Sequence, residues 1–176
     1  DNGEIRTLAT SFGKSDTVMQ GGGASWSKNG VILFAPRPES IFYRVNADGG
    51  DAVPETTMVG AETHHLWPWF LPDGERYLFM IAGSDQSGAG IYLGRLGSSE
   101  RTRIIPHPKR TDFTPVRYGG GHIFYVRDFA LMGQKFNVES GTVSGNPIKI
   151  DEGLELAGPG RTTFSTSESG TLLYKR

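Results

Sequence analysis

The sequence predicts an all-β fold built from one repeated four-stranded unit. Its 176 residues include 25 Gly and 10 Pro, and this glycine share is about twice the ~7% usual in globular proteins. Short runs of β-branched and aromatic residues lie between these turn-formers. No window shows helical spacing, and the most apolar stretch, 66–71, is interrupted by Pro68. Because one aromatic-turn-apolar pattern recurs along the chain, the strands are expected to belong to repeats.

Four copies of a hairpin define the repeat. Each copy has an aromatic or apolar strand, a glycine turn and a second strand of bulky residues, at 24–34, 67–79, 114–125 and 163–174. The turn glycines are Gly30, Gly74, Gly120 and Gly170, which are 44, 46 and 50 residues apart. Asn29-Gly30 and Asp73-Gly74 predict type I′ turns, in which both central residues have positive φ. Pro72 presets φ at the start of the second turn.

A third and a fourth strand follow each complete hairpin. The third strands are predicted at 41–45, 91–96 and 131–136, and the weaker fourth strands at 52–57, 102–105 and 147–150. Pro54 and Pro147 lie in two of the fourth strands. Because proline is tolerated at a sheet edge and not in its centre, the fourth strand is expected to be the outer one.

Four antiparallel strands in each ~44 residues predict the blades of a β-propeller. A β-sandwich or an up-and-down barrel does not explain why one turn recurs at one place in each unit. We expect a single domain over 1–176, in units at 1–8 (the outer strand of a preceding blade), 24–57, 67–105, 114–150 and 161–176 (a partial blade). Three full blades with partial terminal strands do not close. The chain is therefore expected to be part of a larger ring and to self-associate through open blade edges.

Composition excludes several functions. Lys and Arg number 18 against 19 Asp and Glu, so the chain lacks the basic excess that nucleic-acid binding needs. It has no 18-residue apolar run, so this segment is not expected to insert into a membrane. The absence of cysteine excludes disulfides, thiol catalysis and cysteine-ligated zinc. We expect no cofactor and no metal.

The run 69–79, W-F-L-P-D-G-E-R-Y-L-F, resembles the WD40-like repeat of TolB-type bacterial β-propellers, with its W-S-P-D-G-x-x-[IL]-x-[FY] signature. The run 41–50 resembles the third strand and glycine turn of the same family. The chain is also similar to the extracytoplasmic propeller regions of bacterial serine/threonine kinases and to the amino-terminal propellers of prolyl peptidases. The resemblance implies a periplasmic or extracytoplasmic location. No kinase loop or G-x-S-x-G elbow occurs in the sequence, so we expect no enzyme activity.

The expected function is a non-catalytic propeller scaffold that binds a protein or small ligand through its loop face, as a sensor or interaction module. That face would comprise the loops before each first strand and those between the second and third strands. The alternative is the substrate-gating propeller of a hydrolase, like that of prolyl peptidases, or a glycan-active propeller enzyme.

The stretch 62–69, E-T-H-H-L-W-P-W, supplies most of the candidate ligand-binding residues: Glu62, His64, His65 and Trp67. Neighbouring side chains of a strand point to opposite faces, so the two histidines are not expected to chelate one ion. The structural alternative is that one histidine bonds to the backbone of the next blade while the tryptophans pack between blades. Arg161 is expected at the channel mouth, where it would attract an anion.

The three tryptophans are assigned by their repeat positions. Trp26 and Trp69 lie four and five residues before their turn glycines, which predicts that both pack in the core between blades. Trp67 is out of phase and is expected to be an exposed platform for a ligand.

Overall fold

The computed structural model describes residues 22–85, 87–106, 114–154 and 164–175. These ranges form strands and turns, arranged in three four-stranded antiparallel sheets and one two-stranded sheet. The predicted all-β fold class is therefore confirmed. No helix in these ranges has the length and apolar character that crossing a membrane requires. The predicted strand at 1–8 lies outside the described residues.

Each four-stranded sheet is a meander, with its strands hydrogen-bonded in chain order. The first sheet contains β1 (Ala24–Trp26), β2 (Val31–Phe34), β3 (Tyr43–Asn46) and β4 (Val53–Pro54). The second contains β5 (Glu62–Phe70), β6 (Arg76–Gly83), β7 (Gly90–Arg95) and β8 (Arg101–Pro106). The third contains β9 (Arg117–Gly119), β10 (His122–Arg127), β11 (Ala130–Asn137) and β12 (Thr142–Glu152). The terminal hairpin contains β13 (Phe164–Thr166) and β14 (Leu172–Tyr174).

The fourth strand lies at an edge of each four-stranded sheet, as the prolines predict. Pro54 ends β4, and Pro147 lies within β12. An edge strand has no neighbouring strand on its outer side. A proline there, which lacks an amide N–H, therefore removes no hydrogen bond between strands.

The turns differ from the predicted type I′ geometry at two of the four sites. Gly30 and Gly74 have positive φ, whereas Asn29 and Asp73 do not. The Gly74 amide donates to the Leu71 carbonyl at 2.9 Å, which closes a four-residue turn with glycine in the left-handed region. The prediction of type I′ turns at Asn29-Gly30 and Asp73-Gly74 is therefore wrong.

A side-chain bond explains the different turn. The Asp73 carboxylate accepts hydrogen bonds from the Glu75 and Arg76 amides, both at 2.9 Å, and so stabilises the longer turn. The type I′ geometry occurs instead between β9 and β10. There Gly120 and Gly121 both have positive φ, and His122 pairs with Gly119.

The sheets pack face to face in chain order, and each interface has its own apolar cluster. Leu33 and Phe42 of the first sheet pack against Tyr77 and Phe79 of the second. The cluster between the second and third sheets includes Leu66, Leu71, Leu78, Met80, Ile91, Val116, Ile123, Tyr125 and Phe136. The terminal hairpin packs its Phe164 on the far face of the third sheet. Each large apolar side chain buried in this way contributes about 1.5–3 kcal/mol.

Neighbouring sheets are also joined at their turns. The buried Ser27 hydroxyl donates to the Gly74 carbonyl at 2.6 Å, which joins the turn of the first sheet to that of the second. The Gly120 amide donates to the Glu168 carbonyl at 3.1 Å, which joins the third sheet to the terminal hairpin. A Cβ on Gly120 would lie 2.9 Å from the Gly170 Cα, so these two turns meet through glycine backbones.

Trp26 does not pack between sheets, and that prediction is wrong. Its side chain is 66% exposed, whereas Trp69 packs against the cluster of the second and third sheets. Trp26 lies four residues before its turn glycine and so corresponds to Phe70, not to Trp69. A shift of one residue along a strand reverses the face of the side chain. Phe70 faces the first sheet, and no described sheet covers the corresponding face around Trp26.

Candidate functional site

Strand β5 carries most of the predicted ligand-binding residues, and alternation separates its two histidines. His65 is fully buried against the rings of Phe42 and Phe79, at centroid distances of 5.9 and 5.6 Å. His64 lies on the other face, with 27% of its side chain exposed. Among the described residues, no group of three or more histidine, aspartate or glutamate side chains is arranged to hold a metal ion.

Both ring nitrogens of His65 have protein partners. Nδ1 lies 2.8 Å from the Thr56 hydroxyl, and Nε2 lies 3.2 Å from Oε2 of Glu62. An ionised carboxylate only accepts, so Nε2 carries the proton and donates to Glu62. Nδ1 then accepts a hydrogen bond from the Thr56 hydroxyl. The oxygen of that hydroxyl in turn accepts a hydrogen bond from the Phe42 amide at 2.9 Å. The His65 imidazole thus bonds to the side chain of Thr56, just after β4, and not to a backbone group as the structural alternative supposed, whereas the His65 amide donates to the Ser40 carbonyl at 3.2 Å.

Arg101 of β8 holds Glu62 from the other side. Its Nη2 lies 2.6 and 2.7 Å from the two oxygens of the Glu62 carboxylate, and its Nη1 donates to the Thr57 carbonyl at 2.9 Å. The Val59 amide also donates to Glu62, at 2.9 Å. These contacts connect the segment after β4 with β5 and β8, so the network fixes the first sheet on the second.

Burial lowers the pKa of His65 below its ordinary value, and the Glu62 carboxylate only partly opposes this shift. The imidazole is therefore neutral at pH 7, in agreement with its donor and acceptor roles. A ligand contact by His65 or Glu62 remains a prediction, and it would require bonds of this network to open.

His64 and Trp67 are more accessible than His65. Nδ1 of His64 lies 2.6 Å from the Thr63 hydroxyl, and Nε2 lies 3.6 Å from the Glu39 carboxylate. Trp67 is half-buried, packs on the cluster between the second and third sheets, and has a φ of +51°. It lies in an irregularity of β5 where the register shifts between Leu66 and Trp69. Trp67 is thus less exposed than a free platform, and its contact with a ligand remains a prediction.

The first strands of all four sheets line one cleft of about 400 Å³, here called the inner cleft. Its described lining includes four aromatic residues: Trp26, Trp69, Phe70 and Tyr118. Lys28 and Glu168 bring charges of opposite sign to it. Turn residues line it, so it opens at the end opposite the loops 35–40 and 80–90 of the predicted binding face.

A second cleft of about 200 Å³, here called the outer cleft, lies between the first and second sheets. The Glu55 side chain lines it, is only 1% exposed, and accepts the Gly97 amide at 2.8 Å. Burial raises the pKa of Glu55, while the Gly97 amide and Arg44 oppose the shift. Tyr77 also lines this cleft, and its buried hydroxyl has no hydrogen-bond partner among the described residues.

Sequence reasoning missed Thr56 and Arg101, the partners of the buried histidine and glutamate. No local signal identifies them, because each comes from a different strand or segment and meets β5 only after the sheets have packed. It also missed Arg117, whose guanidinium lies over the ring of Trp69 beside the inner cleft. A signal could have identified it, because Arg117 is a cation at the start of a first strand, where the other repeats have aromatic or apolar residues. Arg161 lies outside the described residues.

The described residues thus form an all-β structure whose first strands line an aromatic inner cleft. No protein-family model, no curated protein and no solved structure matches the chain.

Proposed function

We propose that the chain forms part of a β-propeller and serves as a non-catalytic binding module with the inner cleft as its ligand site. The single observation that carries the proposal is the convergence of β1, β5, β9 and β13 on that cleft. Sheets that pack in chain order with their first strands facing a common space are what radial blades require.

The lining of the inner cleft supports binding rather than catalysis. Trp26 is a large, exposed aromatic side chain in a concave site, and such residues supply contact area at low entropic cost. The volume of about 400 Å³ lies within the range of small-molecule sites. The only histidine, aspartate or glutamate among its described lining residues is Glu168. The rest of the described lining is mostly aromatic and apolar, so it offers contact area to a bound ligand with few polar anchors.

Ligand-detected NMR with a fragment collection tests the proposed site. Fragments that bind the wild-type protein are expected to lose binding in Trp26→Ala. They should keep it in Leu173→Ala, which removes an exposed apolar side chain away from the cleft. Equal binding by both variants, or no fragment bound by the wild type, would contradict the proposal.

The propeller assignment carries further proposals: likeness to TolB-type propellers, an extracytoplasmic location, and self-association through open edges. β14 is the edge of a two-stranded sheet and exposes Leu173. Such an edge is available for pairing with another strand. Sedimentation analysis is expected to show a dimer or larger assembly, and a stable monomer at micromolar concentration would refute the self-association.

A further inference from the structure

Arg117 differs from the other arginines around it because its charge is partly buried without an acid. It begins β9, and its guanidinium lies over the Trp69 ring, 4.6 Å from the ring centroid. Its Nη1 donates to the neighbouring Val116 carbonyl at 3.0 Å. No carboxylate within the described ranges forms an ion pair with it. By contrast, four other arginines have carboxylate partners: Arg44, Arg76, Arg95 and Arg101.

This environment makes the unpaired charge costly. A half-buried guanidinium loses hydration, and burial lowers the pKa of Arg117 to about 10. The Trp69 ring offsets part of that loss by cation–π attraction but accepts no ordinary hydrogen bond. Most of the N–H donors of Arg117 thus have no acceptor among the described residues.

The Arg117 guanidinium lies where it could contact a ligand. Arg117 lies on a first strand, and Trp69, on which it stacks, also lines the inner cleft. The ring covers one face of the guanidinium, so a ligand is expected to approach along its plane. A planar fork of N–H donors matches a group that presents two oxygens side by side.

We propose that Arg117, held by Trp69, anchors a binding site for an anionic group with paired oxygens, a carboxylate or a phosphate. This site does not depend on closure of a ring or on occupation of the inner cleft by fragments. An unmatched charge kept at a binding site should reduce stability when the ligand is absent.

The test uses inorganic phosphate and acetate as separate probes, at constant ionic strength set with sodium chloride. Tryptophan fluorescence is expected to change saturably with one of them, because the anion alters the cation stacked on Trp69. At roughly five times the dissociation constant, the thermal midpoint should rise by about 2–4 °C. A response to phosphate alone identifies a phosphate ligand, and a response to acetate alone identifies a carboxylate.

Three variants decide whether Arg117 is the anchor. Arg117→Met should weaken the anion at least tenfold while leaving the midpoint without anion unchanged or higher. Arg117→Lys keeps the charge but loses the planar fork, so it should bind between wild type and Arg117→Met. Arg127→Met, which removes another guanidinium stacked on a ring, 5.4 Å from that of Tyr125, should bind like wild type.

Two results would overturn the site. One is an absent or non-saturating response that is the same in wild type and Arg127→Met. The other is a lower midpoint in Arg117→Met with no anion response in wild type, which would show that the guanidinium serves only packing.

Discussion

Two interfaces of this protein each hold a partly buried arginine, but they surround it with different partners. Between the first and second sheets, Arg101 meets both oxygens of Glu62, and Glu62 in turn fixes His65. Between the second and third sheets, Arg117 meets an aromatic ring and one backbone carbonyl. The first set of groups is satisfied from within the described chain, whereas the second is not. Completed buried polar networks specify how sheets pack, and incomplete ones indicate where a ligand would contribute.

The largest effect is expected from breaking the completed network. Glu62→Ala leaves the Arg101 charge, whose side chain is 16% exposed, without a carboxylate, and leaves the Nε2 donor of His65 without an acceptor. The free energy of unfolding, measured by urea denaturation, should fall by about 3 kcal/mol. The matched control is Glu75→Ala, which removes the exposed partner of Arg95 and should cost less than ~1 kcal/mol. Equal losses would show that the network is no more important than a surface pair.

Substitution of the two tryptophans tests the corrected assignment of the core. Trp69→Ala removes a ring that packs between the second and third sheets and should cost about 3 kcal/mol in urea denaturation. Trp26→Ala removes an exposed ring and should change stability by less than ~0.5 kcal/mol. A large loss in Trp26→Ala alone would mean that the face around Trp26 is covered in the folded protein.

The neutral His65 should make stability depend on pH. Its pKa is lowered in the folded protein, so the unfolded chain binds the proton more readily. The unfolding free energy should therefore be constant above pH ~6.5 and decrease as pH falls through the folded pKa. Urea denaturation at several pH values should show this loss in wild type and in the control His64→Gln. The His65 contribution should be missing in His65→Gln, and an unchanged pH profile there would contradict the neutral assignment.

The smallest change in unfolding free energy is expected when the hydroxyls of two buried tyrosines are removed. The Tyr125 hydroxyl donates to Gln134 at 3.3 Å, so Tyr125→Phe should cost about 1 kcal/mol. The Tyr77 hydroxyl has no partner among the described residues, so Tyr77→Phe should be neutral or slightly stabilising. A clear loss in Tyr77→Phe would show that a group in the outer cleft bonds to that hydroxyl.

The strands were predictable because their signals are local. Proline positions, glycine turns and runs of bulky residues predict the meanders and the outer position of β4 and β12. The turn type was not predictable from Asn29-Gly30 and Asp73-Gly74, since side-chain bonds of Asp73 favour a longer turn. The error for Trp26 has a different cause. Offsets of four and five residues from the turn glycine look alike in a repeat, but they place the ring on opposite faces of the strand.

The candidate sites were less predictable because they depend on contacts between sheets. Alternation along β5 separates His64 from His65, yet it does not say which face is buried. Thr56 and Arg101 reach His65 and Glu62 only because the first two sheets stack at one particular offset. The inner cleft likewise gathers residues from all four sheets, from Ala24 to Glu168.

The bonds between neighbouring turns have a consequence for how this chain can vary in length. An added residue near Gly74 would move the carbonyl that the Ser27 hydroxyl reaches, and one near Gly170 would disturb its contact with Gly120. The segment after β4 is restricted too, because Thr56, Thr57 and Val59 hold the network there. Evolutionary insertions and engineered tags should instead be tolerated in the loop between β3 and β4, where a Cβ built on Gly49 or Gly50 meets nothing within 4 Å, while the tips keep a constant size and act as the fixed points of the repeat.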